Sequence, residues 1–221
     1  VRVVPITGRP AGWCDHIARM WPVDGVVGEN GALYYRYDDA RRVMVRRYFR
    51  TDAERARDRE RLMAIRDRVL AEVPGVAVSA DQAFRDADLA IDFCEDVAPV
   101  GDAAVAEVVR IFTAAGAVAK VSSIHVNGWF GDYDKLRMTR RFFAEVFGED
   151  LETVRDAVIF TGDSPNDEPM FAAFPNAVGV ANVREFAGTM RHLPRYVTTA
   201  RGGDGFAELA THILRVRRTA A

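Results

Sequence analysis

"VIFTGDSPNDEPMF", residues 158–171, sets an apolar run directly against Gly-Asp-Ser-Pro-Asn-Asp. The run belongs to "DAVIFTGDS" (156–164), a continuous apolar stretch of buried-strand type, and "NDEPMFAAF" (166–174) reads as the helix after it. A helix start needs one Asp as its N-cap. This loop carries two, Asp163 and Asp167, four apart where strand gives way to helix. Two carboxylates so placed point to a bound cation.

Outward from that loop, the same alternation continues. Towards the C-terminus come a short strand at "NAVGVAN" (176–182) and a final helix at "GFAELATHILRVR" (205–217). Before it lies a helix at "DKLRMTRRFFAEVFG" (134–148), with Leu136, Phe143, Val146 and Phe147 expected inward and Gly148 as its stop. At the other end, "VRVVPI" (1–6) reads as a buried strand, although Pro5 cannot donate to a ladder. The turn "TGRPAG" follows, then a helix at "WCDHIARMW" (13–21) with Ile17 and Met20 or Trp21 on one face. "DGVVGENGA" (24–32) reads as a strand closed by Asn30-Gly31. Both ends thus alternate strand and helix, as parallel α/β units do.

The middle has another texture. Residues 32–49 fit a hairpin turning at Asp38-Asp39. Residues 52–73 carry Leu62, Ile65, Val69 and Val73 at helical spacing. Strands are expected at "VAVSA" (76–80) and "DLAIDF" (88–93), a helix over 102–115, and one strand at "VAKVSSIHVNG" (118–128). The expected organisation is a core at 1–32 and 130–221, with an α+β insert at 33–129 hinged at Gly31, Gly128 and Gly131.

Bulk properties exclude several classes. The 221 residues are 49% hydrophobic and 28% charged with a formal net charge of −2, which gives no general pull toward nucleic acid or an anionic membrane. "RRVMVRRYFR" (41–50) places five arginines among aromatic and β-branched residues and reads as an exposed strand face. Cys14 and Cys94 lack metal-ligand spacing and read as free thiols of a cytoplasmic protein. No apolar stretch is long enough to span a bilayer, and no signal peptide is visible. No Gly-x-Gly-x-x-Gly follows a strand, which disfavours a nicotinamide-binding domain.

In open α/β sheets, ligands bind outside the carboxyl ends of the strands. Thr7 and Gly8 in "ITGR" offer a hydroxyl and an unshielded N–H there. Lys135 stands at a helix N-terminus, which itself favours anions. These groups suit a phosphate, and Asp163 with Asp167 suit a hard cation such as Mg²⁺.

"ITGR", "ENGA" (29–32), Asp134-Lys135 and "FTGDSPND" (160–167) together resemble motifs two to four of the haloacid dehalogenase superfamily, and their arrangement is similar to its Cof-type, class IIB phosphatases. The resemblance implies an α/β fold: a Rossmann-like core with a parallel sheet, plus the inserted α+β cap. It implies a Mg²⁺-dependent phosphatase of small phosphorylated metabolites, such as sugar phosphates or phosphoglycolate, acting through an aspartyl-phosphate. Thr7 and Lys135 would be catalytic; Thr7, Gly8, Lys135 and Asn166 would hold phosphate. Asp163 and Asp167 would ligate Mg²⁺, with Ser164 and Asn166 tying down the loop. Neither a nucleic acid nor a membrane is an expected partner.

One element departs from the resemblance. The family's first motif, a strand ending in Asp-x-Asp that carries the nucleophile, has no counterpart before "TGR". Asp86-x-Asp88 and Asp92 lie in the insert and do not replace it. Thr7 has no adjacent base, and neither it nor Lys135 is a plausible attacking group. The expectation is a chain lacking an N-terminal segment and inactive as it stands. A catalytically silent phosphometabolite-binding module and a phosphohexomutase-like phosphotransferase remain the alternatives. His125, Asn127 and Arg201 are left without a role.

Overall fold

The structure, a computed structural model, describes residues 1–219. They form two compact units, Val1–Gly148 and a second beginning at Glu149.

In the first unit, residues 3–7 are extended and run parallel to a strand β1 (Val26–Gly28), bridged at Ile6 and Val27. Asp24 N–H donates to Val3 O, Val27 N–H to Pro5 O, and Thr7 N–H to Val27 O, each at 2.9 Å. Pro5 has no N–H for the next rung, so the expected strand is reduced to this short pairing. Helix α1 (Ala11–Met20) precedes β1. The hairpin β2 (Leu33–Asp38) and β3 (Val43–Tyr48) continues the sheet antiparallel, in the order β1-β2-β3. The first part of the expected insert is therefore hydrogen-bonded to β1.

A second sheet follows. Helix α2 (Asp52–Glu72) starts with a capping box, Thr51 with Glu54, and buries Leu62, Ile65 and Val69. Strands β4 (Ala77–Val78) and β5 (Leu89–Asp92), helix α3 (Asp102–Ala114), and strands β6 (Val118–Val121) and β7 (His125–Trp129) complete it. The sheet is antiparallel in the order β4-β5-β7-β6. The single strand expected over 118–128 is in fact a hairpin, with Val121 opposite Val126. Its break falls at Ser122, whose hydroxyl accepts the N–H of His125 at 3.0 Å and so closes the turn. The two helices cover one face, where Leu62, Ile65 and Val69 meet Leu89, Ile91, Ile111, Phe112 and Val126 in a core.

Helix α4 (Lys135–Phe142) ends the unit and passes into a π-turn over Phe143–Phe147, closed by Gly148 in the left-handed conformation. Lys135, Met138, Thr139 and Phe142 are buried; of the residues expected inward, Phe143, Val146 and Phe147 are half-buried and pack against the core of Val27, Tyr34, Met138 and Phe142, and Leu136 is half-buried. In α1 the buried stripe is Ala11, Cys14 and Ala18, while Met20 and Trp21 are exposed. Small residues let that helix lie close to its sheet.

The second unit has helix α5 (Leu151–Val154), β8 (Ile159–Gly162), α6 (Glu168–Ala173), β9 (Asn176–Gly179), β10 (Tyr196–Val197) and α7 (Gly202–Thr219). Its strands are parallel in the order β10-β9-β8. Phe160 of β8 packs on Phe171 and Phe174 of the α6 segment. Among the described residues, no helix is long and apolar enough to cross a membrane.

Candidate functional site

In the first unit, Thr7–Arg9 forms a tight loop at the carboxyl end of the extended segment. The Thr7 hydroxyl accepts Arg9 N–H at 3.0 Å. Three successive carbonyls are tied into the protein: Thr7 O accepts Asn30 N–H (3.1 Å), Gly8 O accepts Arg85 Nη1 (2.9 Å), and Arg9 O accepts Glu29 N–H (3.1 Å). With its carbonyl oxygens engaged, the loop does not oppose them to an approaching anion.

The turn Glu29–Gly31 organises this region. All three residues have positive φ, at 45°, 56° and 104°. Only the last is glycine, so the first two carry backbone strain of about 1–3 kcal/mol each. At Gly31 a side chain would collide with the backbone carbonyl of Asp134, so glycine is what allows α4 to start there. Asp134 caps that helix through Arg137 N–H at 2.8 Å. Lys135, its first residue, is buried. The "ENGA" turn thus bonds Thr7 O through Asn30 N–H, lies against Gly8 with the Asn30 side chain, and packs at Gly31 against the Asp134–Lys135 backbone.

Behind the loop lies a buried polar network. Arg85 is 1% exposed and pairs with Asp88 (2.9 Å) and Asp81 (3.0 Å). Burial lowers the Arg85 guanidinium, but the Asp88 and Asp81 charges win and hold it above its usual value. Arg9 reaches Glu95 (2.8 Å) and Asp81 (3.3 Å). His125 Nε2 lies 2.9 Å from Glu95 Oε2; burial first, then the Arg85 charge, holds the imidazole below its ordinary range. Asn127 donates to Asp88 Oδ2 at 3.2 Å. Burial raises the Glu29 carboxyl and the Asp88 charge adds to this, against the N–H donors that bind it.

The three rejected carboxylates are all engaged. Asp86 accepts the hydroxyls of Tyr48 (2.6 Å) and Tyr35 (3.1 Å), and Asp88 is paired with Arg85. Asp92 accepts the N–H groups of Cys94, Glu95 and Asp96. The network as a whole was not legible in the sequence. Its one signal is "RDAD" (85–88), where Arg85 and Asp88 stand three apart.

In the second unit, β8 delivers the other candidate group. Asp167 is buried, and its Oδ2 accepts Asp163 N–H at 3.0 Å. Asp167 N–H donates to Ser164 O at 3.0 Å, and the Ser164 hydroxyl donates to Asn166 Oδ1 at 2.7 Å. A Cβ on Gly162 would stand 2.5 Å from Asp167 Oδ2, so the turn requires glycine there. The loop carries two carboxylates, hard oxygen donors of the kind that fits Mg²⁺, while the Ser164 hydroxyl and Asn166 Oδ1 are taken up by each other. Among the described residues no group of three or more His, Cys, Asp or Glu side chains is arranged to hold a metal, so the loop offers two carboxylates and no more.

The remaining candidates have ordinary surroundings. Arg46 pairs with Asp15 (2.7 Å), Arg47 with Glu145 (3.7 Å) and Arg50 with Asp58 (2.7 Å). The arginine strip is therefore largely matched by acids. Trp129 is buried and stacked on Tyr133. Arg201 is exposed and pairs with Glu185 at 2.6 Å.

No protein-family model matches the chain, and no curated protein matches it in sequence. Solved structures do resemble it. The sucrose-phosphatase of Synechocystis sp. PCC6803, in complex with sucrose and phosphate, superposes with a TM-score of 0.64 at 12% identity, covering 96% of this chain and 84% of that one. The haloacid dehalogenase subclass IIB sugar phosphatase BT4131 gives 0.62 at 13% identity, over 96% and 85%. A haloacid dehalogenase-like hydrolase from B. subtilis gives 0.62 at 15% identity, over 96% and 87%. At these identities the likeness establishes the fold: α/β, with the Rossmann-like core and cap of haloacid dehalogenase-type proteins.

Proposed function

We propose that the protein is a Mg²⁺-dependent phosphomonoesterase acting on small phosphorylated metabolites, with sugar phosphates as the first class to test. The observation that carries this reading is the Gly162–Asp167 loop, where two carboxylates are held four residues apart by Asp163 N–H and the Ser164–Asn166 bond. The resemblance to sugar phosphatases supports it. Asp163 and Asp167 would hold the Mg²⁺, which supplies charge neutralisation at a phosphoryl oxygen. The Thr7 hydroxyl and Gly8 N–H would donate to the phosphoryl group, Lys135 would balance its charge, and Asn166 would steady the loop and add a donor.

The reading also requires a carboxylate nucleophile that forms and then loses an ester to phosphorus. Asp86, Asp88 and Asp92 are unsuited to that, each being bound by other groups. We propose that a further parallel strand, outside these 221 residues, carries it. Among the described residues, the segment 3–7 pairs with β1 alone and β8 with β9 alone, so each has an edge that a strand can join. Until such a strand is supplied, the chain itself is read as a binder of phosphorylated metabolites. The cap expected over 33–129 would consist of the second sheet with α2 and α3, the hairpin β2–β3 serving the first sheet. The unpaired thiols Cys14 and Cys94 suit a cytoplasmic setting.

The test is release of inorganic phosphate from a panel of sugar phosphates by the protein expressed from its natural start. Activity should require Mg²⁺. Lys135→Ala should cost about 10²–10³-fold in kcat, as loss of one transition-state donor does. Asp163→Asn with unchanged turnover and unchanged metal dependence would sink the assignment.

A further inference from the structure

Glu29 is fully buried and lies at positive φ, an unusual place for a glutamate. A carboxylate out of water is costly unless its oxygens are bonded. Here each oxygen accepts two backbone N–H groups. Oε1 takes those of Ala11 and Asp86, both at 2.8 Å; Oε2 takes those of Ala87 at 2.7 Å and Asp88 at 3.1 Å. Three of these donors are the consecutive amides of 86–88, which converge on the one carboxylate. The fourth is the first amide of α1, an orphan donor of that helix.

The groups holding the Thr7–Arg9 loop are the same groups that hold Asp86–Asp88. Asn30 binds Thr7 O by its backbone and Asp88 Oδ2 by its side chain (3.4 Å). Arg85 binds Gly8 O and Asp88 Oδ1, both at 2.9 Å. Glu29 binds Arg9 O by its backbone and all three amides of 86–88 by its carboxylate. A shift of any one loop carbonyl therefore reaches the same short segment, each carbonyl by its own route.

We infer that Glu29 is a positioning residue that couples the Thr7–Arg9 loop to Asp86–Asp88, so that an anion bound at the loop is sensed in the segment preceding β5. The inference rests on the reading of Thr7 and Gly8 as phosphate donors. Coupling of this kind is reciprocal: what tightens the segment tightens anion binding by the same factor.

Hydrogen exchange at the amides of Asp86, Ala87 and Asp88 tests it, on the 221-residue chain with and without inorganic phosphate, binding itself being titrated separately. Phosphate should slow these amides by about fivefold or more, the lower end of measured couplings. Glu29→Gln replaces one accepting oxygen by a donor that opposes two N–H groups. It should reduce the slowing at all three amides, the Asn30 and Arg85 routes remaining, and weaken phosphate binding by the factor by which the coupling falls. The wild-type arm needs no variant to fold. Phosphate that binds while the three amides exchange unchanged would overturn the coupling and leave the anion loop standing. Coupling undiminished in Glu29→Gln would overturn the role of that residue. A wild-type chain that binds no phosphate would remove the anion loop, and the inference with it.

Discussion

Arg85 and Asp88 show what single residues contribute. Their side chains are 1% and 0% exposed and meet at 2.9 Å. Removing one partner leaves the other as an uncompensated buried charge, at a cost of about 3–5 kcal/mol. Arg85→Ala should lower the urea-unfolding free energy of the first unit by that amount; a loss under about 1 kcal/mol would mean the pair is solvated in solution. Asp92 offers a test by pH. Burial raises its carboxyl, but the N–H groups of Glu95, Asp96 and Cys94 outweigh this and hold it below its ordinary value. A depressed carboxylate stabilises the fold above its unfolded pKa, near 3.9, and that contribution is lost as pH falls through the folded value. Asp92→Asn should therefore be less stable than wild type at pH 7, and the gap should narrow below about pH 4. Urea midpoints at the two pH values decide it; a gap independent of pH would mean the N–H groups do not favour the charged form.

Elements follow the sequence where one face is long and strongly patterned. Helix α2 buries the residues its spacing names, and its start is fixed by Thr51 and Glu54. Thr51→Ala should cost about 1 kcal/mol, within the range for lost N-caps, measured as a shift in thermal midpoint. Destabilisation within error would mean the box is frayed in solution. The hairpin at 118–129 was not legible, because its turn is only Ser122–Ile124 and carries no Gly, Pro, Asn or Asp. Within α4 the spacing named Leu136 and missed the buried Met138 and Phe142, while Phe143, Val146 and Phe147 beyond it do pack on the core as expected.

At the scale of the whole chain, the two compact units give the proposed chemistry separate and separately testable parts. If Asp163 and Asp167 bind Mg²⁺ only in the folded state, the metal stabilises the fold by mass action, about 2.7 kcal/mol at a hundredfold excess over Kd. A Mg²⁺ titration should raise the thermal midpoint, and chelation should reverse it. Asp167→Asn should remove the response while leaving phosphate binding at the Thr7–Gly8 loop to be measured on its own. A Mg²⁺ shift that survives in both Asp163→Asn and Asp167→Asn would place the metal elsewhere.

The sequence alone determined the fold class, the loop that carries Asp163 and Asp167, and the short "ITGR" and "ENGA" stretches, because each is written in consecutive residues whose backbone demands are local. Glycine at 162, which faces Asp167 five residues on, and the N-cap at Asp134 are demands of that kind. Only the tertiary structure decided that Glu29, Asn30 and Arg85 join the Thr7–Arg9 loop to Asp86–Asp88. The bonds from Glu29 to residues 86–88, from Asn30 to Asp88 and from Arg85 to Gly8 run between residues more than fifty positions apart, and a buried carboxylate satisfied by backbone N–H groups has no partner side chain to betray it. The same holds for the hairpin β2–β3, which lies within the expected insert and is claimed by β1 through ladder bonds that no side-chain pattern records.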